Sequence, residues 1–532
     1  MKSFWKKGEP FIWLTGAALS VTLLMAAVLI VVVLVNGLGV FWPSRVATAT
    51  LHDGGSVMGE IMRREPVYEG QGERLQFKVG NRELYGLDFR WVDESDISSI
   101  EYLDDAVVLE RMEYGNFYGC IVGLSPEALA VTTGEEPMRQ LRQAHEYVLQ
   151  QKEHLEALDE KVAAVSYRME RLQRKEKSLL YKGRKATDAD IVALRQQQDG
   201  EQQEFHRLLL RQSEMAAKVH AYRATFADAS GSERSMPLMD LVRFYQPNSM
   251  SVFNKVHYYL IKLVELFCDS PRESNTEGGL FPAIFGTVML IFIMSLFSFP
   301  LGVLAAVYLR EYAREGLIVR LVRIAVNNLA GIPSIVYGIF GLAFFVYGIG
   351  GSIDRMFFPE QLPTPTFGTG GILWASLTLS LLTVPVVIVA TEEALGAIPA
   401  GVREGSLALG ATKFQTLTRI LLPMASPGIM TGLILAMARA AGEVAPLMIT
   451  GVVKIAPALP VDGTFPFVHL DRKFMHLGFH IYDIGFQSPN VEAAKPMVFV
   501  TTLLLVLIVL VMSSVAIYLR NKMKKRYTYG TF

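Results

Sequence analysis

The sequence predicts an all-α polytopic membrane protein that carries one large water-exposed insertion. Of its 532 residues, 51% are hydrophobic, yet 19% are charged and the formal net charge is zero. Long apolar runs occupy both ends of the chain, and the polar residues concentrate between them. The chain has no basic excess and no basic stripe interleaved with aromatic residues, which argues against nucleic acid as a partner.

The apolar runs predict six transmembrane helices. The first covers residues 11–36, a run longer than the hydrophobic region of a cleaved signal peptide and long enough to span a bilayer. The downstream tripeptide Ala47-Thr48-Ala49 resembles a signal-peptidase site, so cleavage is the alternative. The other five spans fall within a core at residues 280–519. They are predicted at roughly residues 281–308, 324–349, 371–390, 428–450 and 497–518.

Basic residues predict the orientation of these spans. They cluster in short segments that all fall on one side of the predicted membrane, and lysine and arginine favour the cytoplasmic side. These residues are Lys2, Lys6, Lys7, Arg310, Arg314, Arg320, Arg323, Arg403, Lys413, Arg419, Arg520, Lys522, Lys524, Lys525 and Arg526. Both termini, residues 1–10 and 520–532, are therefore predicted to be cytoplasmic, and residues 43–279 to face outward.

The insertion begins with a predicted β-rich domain at residues 43–135. Short alternating segments such as RLQFKV and LDFRWV are separated there by the turn dipeptides Gly80-Asn81 and Gly115-Asn116. Residues 136–226 then carry apolar side chains in heptads on both sides of a polar turn, which predicts an antiparallel coiled-coil hairpin. The first heptad series is Leu141, Val148, Leu155, Val162 and Met169. A 45-residue arm would reach about 65 Å.

A connector at residues 227–279 leads back to the membrane. Within it, residues 250–267 (MSVFNKVHYYLIKLVELF) are amphipathic and mix lysines with aromatic side chains. This pattern predicts a helix at the membrane surface. An ordinary packed helix of the outer domain is the alternative.

A charged loop at residues 392–427 is too polar for lipid and contains two short apolar-faced segments around Gly410. We expect two short helices that dock on another protein. Gly405 and Gly410 have the spacing of the two glycines in a phosphate-binding loop, but Lys413 comes too late for that motif. The chain is therefore not expected to hydrolyse ATP and is predicted not to be an enzyme.

Arg439 and Glu443 lie four residues apart in the fifth predicted span. An arginine in the middle of a membrane costs ~2.5–3.5 kcal/mol on insertion scales, so a functional site is the favoured interpretation and a structural ion pair is the alternative. At 100° per residue both charges share a helix face with Gly432 and Ala436. The opposite face is expected to meet lipid and consists of Leu433, Ile434, Met437, Ala441, Val444 and Met448.

Other chemistry-bearing residues suggest neither catalysis nor metal binding. No serine–histidine–aspartate or cysteine–histidine arrangement can be assembled from the spacing of the chain. His469, His476 and His480 share one outer loop but lack a closed ligand set, so no metal and no cofactor are expected. Cys120 and Cys268 are too few for a disulfide framework, and whether they pair is left open.

The loop carries a family resemblance in Glu404, Gly410, Ile420, Leu422 and Pro423. These residues resemble the EAA loop of ABC-importer permease subunits, although Gly405 and Ser406 stand where that family usually has two alanines. Three further segments are similar to the PstA family of phosphate-transport permeases. They are PLGVLAAVYLREYA at residues 300–313, NNLAGIPSIVYGIFGL at 327–342 and ARAAGEVAPLMIT at 438–450.

The resemblance covers about residues 281–519 and the first span. It implies the type I ABC-importer permease fold in a bacterial inner membrane, with residues 43–279 in the periplasm, and a role as the permease subunit of an ATP-driven phosphate importer. The implied partners are a PstC-like sister permease, a PstB-like ATPase dimer and a PstS-like phosphate-binding protein. A permease for another oxyanion, or a membrane component of phosphate sensing, is the alternative.

The resemblance also assigns residues. Glu404, Gly410, Ile420, Leu422 and Pro423 would contact the ATPase subunit. Arg439 and Glu443 match the charged pair that the family places in its transmembrane path. Asn328 and Ser334 could line the same path as neutral donors, with packing as the alternative role for both.

Overall fold

The computed structural model describes residues 9–67, 72–125, 137–272, 275–488 and 490–527. The predicted basic cluster at Lys2, Lys6 and Lys7 lies outside these ranges, as does the end of the predicted tail. The chain divides into two compact units. The membrane unit comprises Met1–Val40, Leu266–Pro271 and Gly279–Phe532, and the insertion unit comprises Phe41–Glu265 and Arg272–Gly278.

Among the described residues, six helices of the membrane unit are long and apolar enough to span a bilayer, which agrees with the predicted number. These candidate spans are Phe11–Gly39, Phe281–Tyr312, Ser334–Phe357, Ile372–Gly396, Lys413–Gly442 and Val491–Lys525. The α-helices are numbered along the whole chain, and α2 to α5 belong to the insertion unit. The α-helices of the membrane unit are α1 (Glu9–Gly39), α6 (Phe281–Val307), α7 (Leu317–Leu329), α8 (Ser334–Phe340), α9 (Gly351–Phe357), α10 (Ile372–Gly396), α11 (Ala400–Ala408), α12 (Lys413–Thr416), α13 (Leu422–Gly442), α14 (Ala445–Thr450), α15 (Leu477–Tyr482) and α16 (Val491–Tyr527). The π-helical segments Tyr308–Tyr312, Gly341–Gly350, Leu417–Leu421 and Asp483–Gln487 each follow one of these helices.

The third span begins ten residues later than predicted. Residues 324–333 belong instead to the end of α7, an amphipathic helix with exposed Leu317 and Ile318, and to the turn after it. Pro333 explains the break, because a proline disfavours helical geometry in the residue before it and cannot donate a backbone hydrogen bond. The span therefore starts after Pro333, at Ser334.

The fifth span also differs from its predicted bounds of 428–450. It starts earlier, because the π-helical segment Leu417–Leu421 joins α12 to α13 without a break. It ends earlier, at Gly442, and Glu443 has the extended angles φ −79° and ψ 131°. Pro446 accounts for this end, because its ring would collide with the carbonyl of Gly442 and it has no N–H to offer that carbonyl.

Helix α10 forms the centre of the membrane unit and has buried side chains along its whole length. Glycines on two neighbouring helices allow close approach to it. A Cβ atom at Gly302 of α6, or at Gly432 of α13, would lie only 2.6 Å from a side-chain carbon of Val387 or Ala390 on α10. Small residues at such positions let membrane helices pack through their backbones. Helix α1, by contrast, is exposed along most of its length.

The insertion unit contains two five-stranded sheets, ordered β4-β3-β2-β1-β5 and β10-β6-β7-β8-β9. All neighbouring strands in them are antiparallel. The strands are β1 (Val46–Leu51), β2 (Ser56–Pro66), β3 (Glu73–Lys78), β4 (Phe89–Asp93), β5 (Ile97–Glu101), β6 (Val107–Arg111), β7 (Phe117–Ser125), β8 (Arg223–Ala227), β9 (Glu233–Pro237) and β10 (Leu241–Tyr245), and the short β11 (Pro271–Arg272) pairs with β12 (Glu277–Gly278). The α-helices of the unit are α2 (Arg82–Tyr85), α3 (Pro137–Tyr181), α4 (Ala189–His220) and α5 (Val252–Cys268).

The β structure extends beyond the predicted boundary at residue 135. Strands β8, β9 and β10 lie in a region that the sequence assigned to the hairpin and the connector. Strand β7 pairs with β8, from Cys120 opposite Ala227 to Ser125 opposite Arg223, so the helical hairpin is inserted between two adjacent strands of one sheet. The start of the hairpin belongs to the same core, because Leu141 and Val148 of α3 pack with Phe117 and Phe226.

Helices α3 and α4 run antiparallel. Arg168 of α3 lies 2.9 Å from Glu201 of α4. Closer to the turn between the two helices, Glu176 of α3 lies 2.8 Å from Arg195 of α4. The first heptad positions, Leu141, Val148 and Leu155, are buried. Glu201, which interrupts the apolar series of α4, thus meets a cation of the partner helix.

Candidate functional site

The loop after α10 folds into the two short helices expected from its sequence. Helix α11 ends before Gly410, whose φ of +86° is a left-handed conformation that favours glycine. Thr412 and Gln415 then form a reciprocal capping box that starts α12. The chain continues through Leu417–Leu421 into α13, the helix that carries Arg439.

This helical pair is fastened to the membrane helices by polar and apolar contacts. The Arg403 guanidinium donates to the carbonyl oxygens of Leu395 and Ile398 at 2.6 and 2.8 Å and lies 2.9 Å from the Glu311 carboxylate. The Ser406 and Thr416 hydroxyls lie 2.9 Å apart and link the two short helices. A force on the pair would therefore reach α10 and the segment after α6.

One side of the helical pair is exposed and apolar. Leu409 is 91% exposed, and Leu407 and Phe414 are also exposed. Glu404 and Gly410 share this exposure, whereas Ile420, Leu422 and Pro423 are half-buried. The predicted docking residues thus separate into an exposed pair and a packed group. Sequence reasoning missed Leu407, Leu409 and Phe414, although apolar residues in so polar a loop were a usable signal. We call Glu404, Leu407, Leu409 and Phe414 the docking face.

Arg439 and Glu443 form an ion pair, with 3.6 Å between Nε and Oε1. Their side chains are 33% and 19% exposed, so neither is sealed in the protein core. The prediction that both lie on one continuous helix face is wrong, because α13 ends at Gly442 and Glu443 is in extended backbone.

The packing around this pair agrees only in part with the predicted faces of the helix. Gly432 and Ala436 are buried as expected for the packed face. Ala441, which was expected to face lipid, is also completely buried. The reason is that α13 packs on several membrane helices, and Ala441 joins a core with Leu379 of α10 and Leu447 of α14.

The two proposed neutral donors are placed differently from the charged pair. Asn328 is exposed near the end of α7, and Ser334 is the half-buried first residue of α8. Within the part of the chain that the structure describes, neither side chain hydrogen-bonds to Arg439 or Glu443. Tyr337, which the sequence did not single out, is buried with Ala440 and Ala441, and its hydroxyl donates to the Leu329 carbonyl at 2.7 Å.

Helix α8 packs closely on the chain beyond the break in the fifth span. A Cβ atom at Gly338 would lie 2.8 Å from the Cα of Pro446. This contact packs α8 against α14, the short helix that begins two residues after Glu443. The ion pair therefore lies at the end of α13, where the chain turns toward α14, rather than along an uninterrupted helix.

The three histidines of the last loop have separate partners. His469 lies 3.0 Å from Asp462, His480 contacts the Thr501 hydroxyl at 3.2 Å, and Nδ1 of His476 accepts a hydrogen bond from the Gly478 N–H at 3.1 Å. Among the described residues, no group of three or more histidine, cysteine, aspartate or glutamate side chains could hold a metal ion. Cys120 and Cys268 are free thiols.

Protonation of His476 is expected to make the stability of the folded protein depend on pH. Burial lowers its pKa from 6.5 to about 4. The folded protein thus binds fewer protons here than the unfolded chain, so stability is full above pH 6.5 and falls as the pH drops from 6.5 to 4, by about 3 kcal/mol at most. In His476→Asn the amide oxygen can still accept from Gly478 without titrating. We expect thermal denaturation in detergent to show that this variant loses less stability than the wild type when the pH is lowered from 6.5 to 4. His206→Asn, at an exposed position, should keep the wild-type pH profile, and equal losses in all three proteins would refute the assignment.

Comparisons with known proteins identify the class of protein to which these membrane helices belong. Residues 298–525 match the family model described as binding-protein-dependent transport system inner membrane component. The probable ABC transporter permease YqgI of Bacillus subtilis is 32% identical over 224 residues, which cover 41% of this chain and 70% of that protein. The probable phosphate transport system permease PstA of Methanocaldococcus jannaschii is 33% identical over 221 residues, covering 41% and 67%. A solved structure of the MetNI methionine ABC transporter, facing inward, is 21% identical, with a TM-score of 0.34 over 46% of this chain and 95% of its own.

The family match and the two sequence relatives identify a polytopic permease of the ABC-transporter class. The chain belongs to the family of binding-protein-dependent transport system inner membrane components. The predicted resemblance to phosphate-transport permeases of the PstA type is confirmed at this level. The matched segments span 59 to 70% of the first curated relatives, and the insertion unit lies outside the matched family region.

Proposed function

We propose that this chain is the transmembrane permease subunit of an ATP-driven phosphate importer and forms half of its translocation path. The observation that carries the proposal is the Arg439–Glu443 pair, which is partly exposed at the end of a candidate span whose residues 420–438 carry no charge. Charged side chains inside a membrane mark pathways for polar solutes. A guanidinium is also the side chain best shaped to bind the oxygens of a tetrahedral anion.

Glu443 gives this pair a basis for preferring phosphate. Near neutral pH, phosphate keeps at least one hydroxyl group, which can donate a hydrogen bond to a carboxylate. Sulfate has no such proton and would meet Glu443 only as a like charge. Arg439 would attract the anion while Glu443 accepts its hydroxyl proton in a hydrogen bond. When no anion is bound, Glu443 would keep Arg439 paired.

The docking face would receive the ATPase. A protein surface with exposed apolar side chains beside a single carboxylate is suited to a partner with an apolar groove and a nearby cation. The complete importer would contain a PstC-like sister permease, a PstB-like ATPase dimer and a PstS-like phosphate-binding protein. The docking face and both termini would then lie in the cytoplasm, and residues 43–279 in the periplasm of a bacterium with its permease in the inner membrane.

Uptake of radiolabelled phosphate into membrane vesicles that contain the assembled complex tests the proposal. With ATP on the ATPase side and a phosphate-binding protein outside, we expect uptake that unlabelled phosphate blocks and that a tenfold excess of sulfate or molybdate leaves nearly unchanged. ATP-dependent uptake of labelled sulfate or molybdate, with none of phosphate, would establish the alternative oxyanion permease. An assembled complex that transports no oxyanion would contradict the proposal.

A further inference from the structure

Helix α5 of the insertion unit, Val252–Cys268, has its charged side buried and its apolar side exposed. Lys262 lies 2.7 Å from Glu110 of β6, and Glu265 lies 3.2 Å from Arg243 of β10. The Tyr258 hydroxyl donates to Glu110 as well. The ionic residues of this helix are therefore the ones that fasten it to the sheet.

The opposite side of α5 carries an exposed apolar stripe, which is interrupted by the exposed His257 one turn after Phe253. Phe253 is 87% exposed, and the other large apolar side chains that share its face are exposed too. Their spacing of three and four residues places them along one side of the helix. We call these residues the α5 stripe: Phe253, Val256, Leu260, Val264 and Phe267. This is the reverse of a helix on a water-soluble domain, which turns its apolar face toward the core.

Short stretches of chain connect α5 and the residues that it contacts to two candidate spans. The Lys255 ammonium donates to the Pro43 carbonyl at 3.3 Å, and the Tyr259 ring lies 6.3 Å from that of Trp42. Trp42 and Pro43 follow Gly39, the last residue of the first candidate span, by three and four residues. Four residues of extended chain reach at most about 14 Å. At the other end, twelve residues separate Cys268 from Phe281, where the second candidate span begins.

Trp42 is itself consistent with a position at the membrane boundary. It is exposed and comes directly after a long apolar span. Tryptophan is enriched where the acyl chains of a bilayer meet the headgroups, because its ring is apolar and its N–H is polar. The side chain packed beside it on α5, Tyr259, has the same mixed character.

We propose that the α5 stripe inserts into the outer leaflet of the bilayer and lies parallel to the membrane plane, at the depth of the headgroup–acyl boundary. The lipid acyl chains take the place of the missing apolar core. The ion pairs of Lys262 and Glu265 on the other side of the helix then connect the membrane surface to both Glu110 and Arg243 of the sheet. The insertion unit is in this way attached to the bilayer through lipid contacts, in addition to its covalent connections to the membrane unit.

Site-directed spin labelling of the full chain in lipid nanodiscs tests this inference. In a Cys120→Ser, Cys268→Ser background, single cysteines replace Phe253, Leu260 or Val264, and Val122→Cys on β7 is the matched control at another exposed apolar position of the same unit. Power saturation compares access by oxygen, which concentrates in lipid, with access by a water-soluble nickel chelate. We expect the three stripe labels to favour oxygen by about threefold or more, at a depth of roughly 5–10 Å, and the control to favour nickel.

Two results would overturn the proposal. Labels that favour nickel at all three stripe positions would show that the stripe faces water. Labels protected from both reagents would show that protein covers it, either a second copy of the chain or another part of the same chain. The substituted apolar side chains and Cys268 are exposed, whereas Cys120 is half-buried. Size-exclusion profiles that match the wild type therefore verify that each variant is folded.

Discussion

Replacing Arg439 by alanine abolishes ATP-driven phosphate uptake while the complex still assembles. The substitution removes the cation that would attract the anion and leaves the Glu443 carboxylate without its ion-pair partner in the proposed path, where it would repel phosphate. Hydrogen bonds to a charged group contribute about 1.5–3 kcal/mol, and the added repulsion brings the expected loss to ~100-fold or more in uptake rate. Vesicle uptake of labelled phosphate measures the effect, and co-purification of the subunits measures assembly.

Two variants make this result specific. Arg439→Lys keeps the charge but loses the planar fork, so we expect uptake between that of the wild type and of the alanine variant. Arg355→Ala removes an exposed arginine whose side chain bonds to the Gly351 carbonyl of its own helix, and uptake should be normal. Wild-type uptake by an assembled Arg439→Ala complex would show that the ion pair is structural and lies outside the path.

Replacing Glu404 by lysine detaches or uncouples the ATPase subunit. Glu404 is exposed on the docking face, in the same short helix as Leu407. A reversed charge at a protein interface costs several kcal/mol when it meets a like charge, so we expect at least a tenfold loss of ATPase bound to the purified permease or of stimulated ATP hydrolysis. The fold of the loop should survive the substitution, because Arg403 and Ser406, rather than Glu404, hold the loop to its neighbours.

The matched control is Glu315→Lys, a charge reversal at another exposed glutamate, in the loop after α6. It should leave ATPase binding and stimulation unchanged. Unchanged co-purification together with unchanged stimulation in Glu404→Lys would contradict the role of the docking face. A loss in both variants would point to the overall charge of this side of the protein instead.

The number of membrane spans was predictable because a bilayer demands long apolar runs, and the part of the chain that the structure describes has six of them. The end of the fifth span was predicted too late, at residue 450 instead of Gly442. The segment around Arg439 has good helix formers up to Glu443, so its periodicity continues past the true end. The deciding signal was Pro446, whose effect falls on the carbonyl four residues earlier, at Gly442.

The extent of the β structure was hidden for a different reason. Strand β8 pairs with β7 across an insertion of almost one hundred residues, and no local pattern reveals such a partner. The heptads of α3 gave a much stronger local signal, which extended the predicted hairpin through residue 226. For the candidate site, sequence spacing brought Arg439 and Glu443 together correctly, but it could not show which apolar residues of the loop stay uncovered, since exposure depends on tertiary packing.

The insertion of the helical hairpin between two paired strands makes its length independent of the sheet. Ser125 and Arg223 remain opposite each other whatever the chain between them does, because the two helices run out and back in antiparallel contact. Adding or removing equal numbers of residues in α3 and α4 would move the tip by about 1.5 Å per residue pair and leave the strand register intact. The hairpin is thus an arm of adjustable reach, which insertions can lengthen without redesign of the domain that carries it.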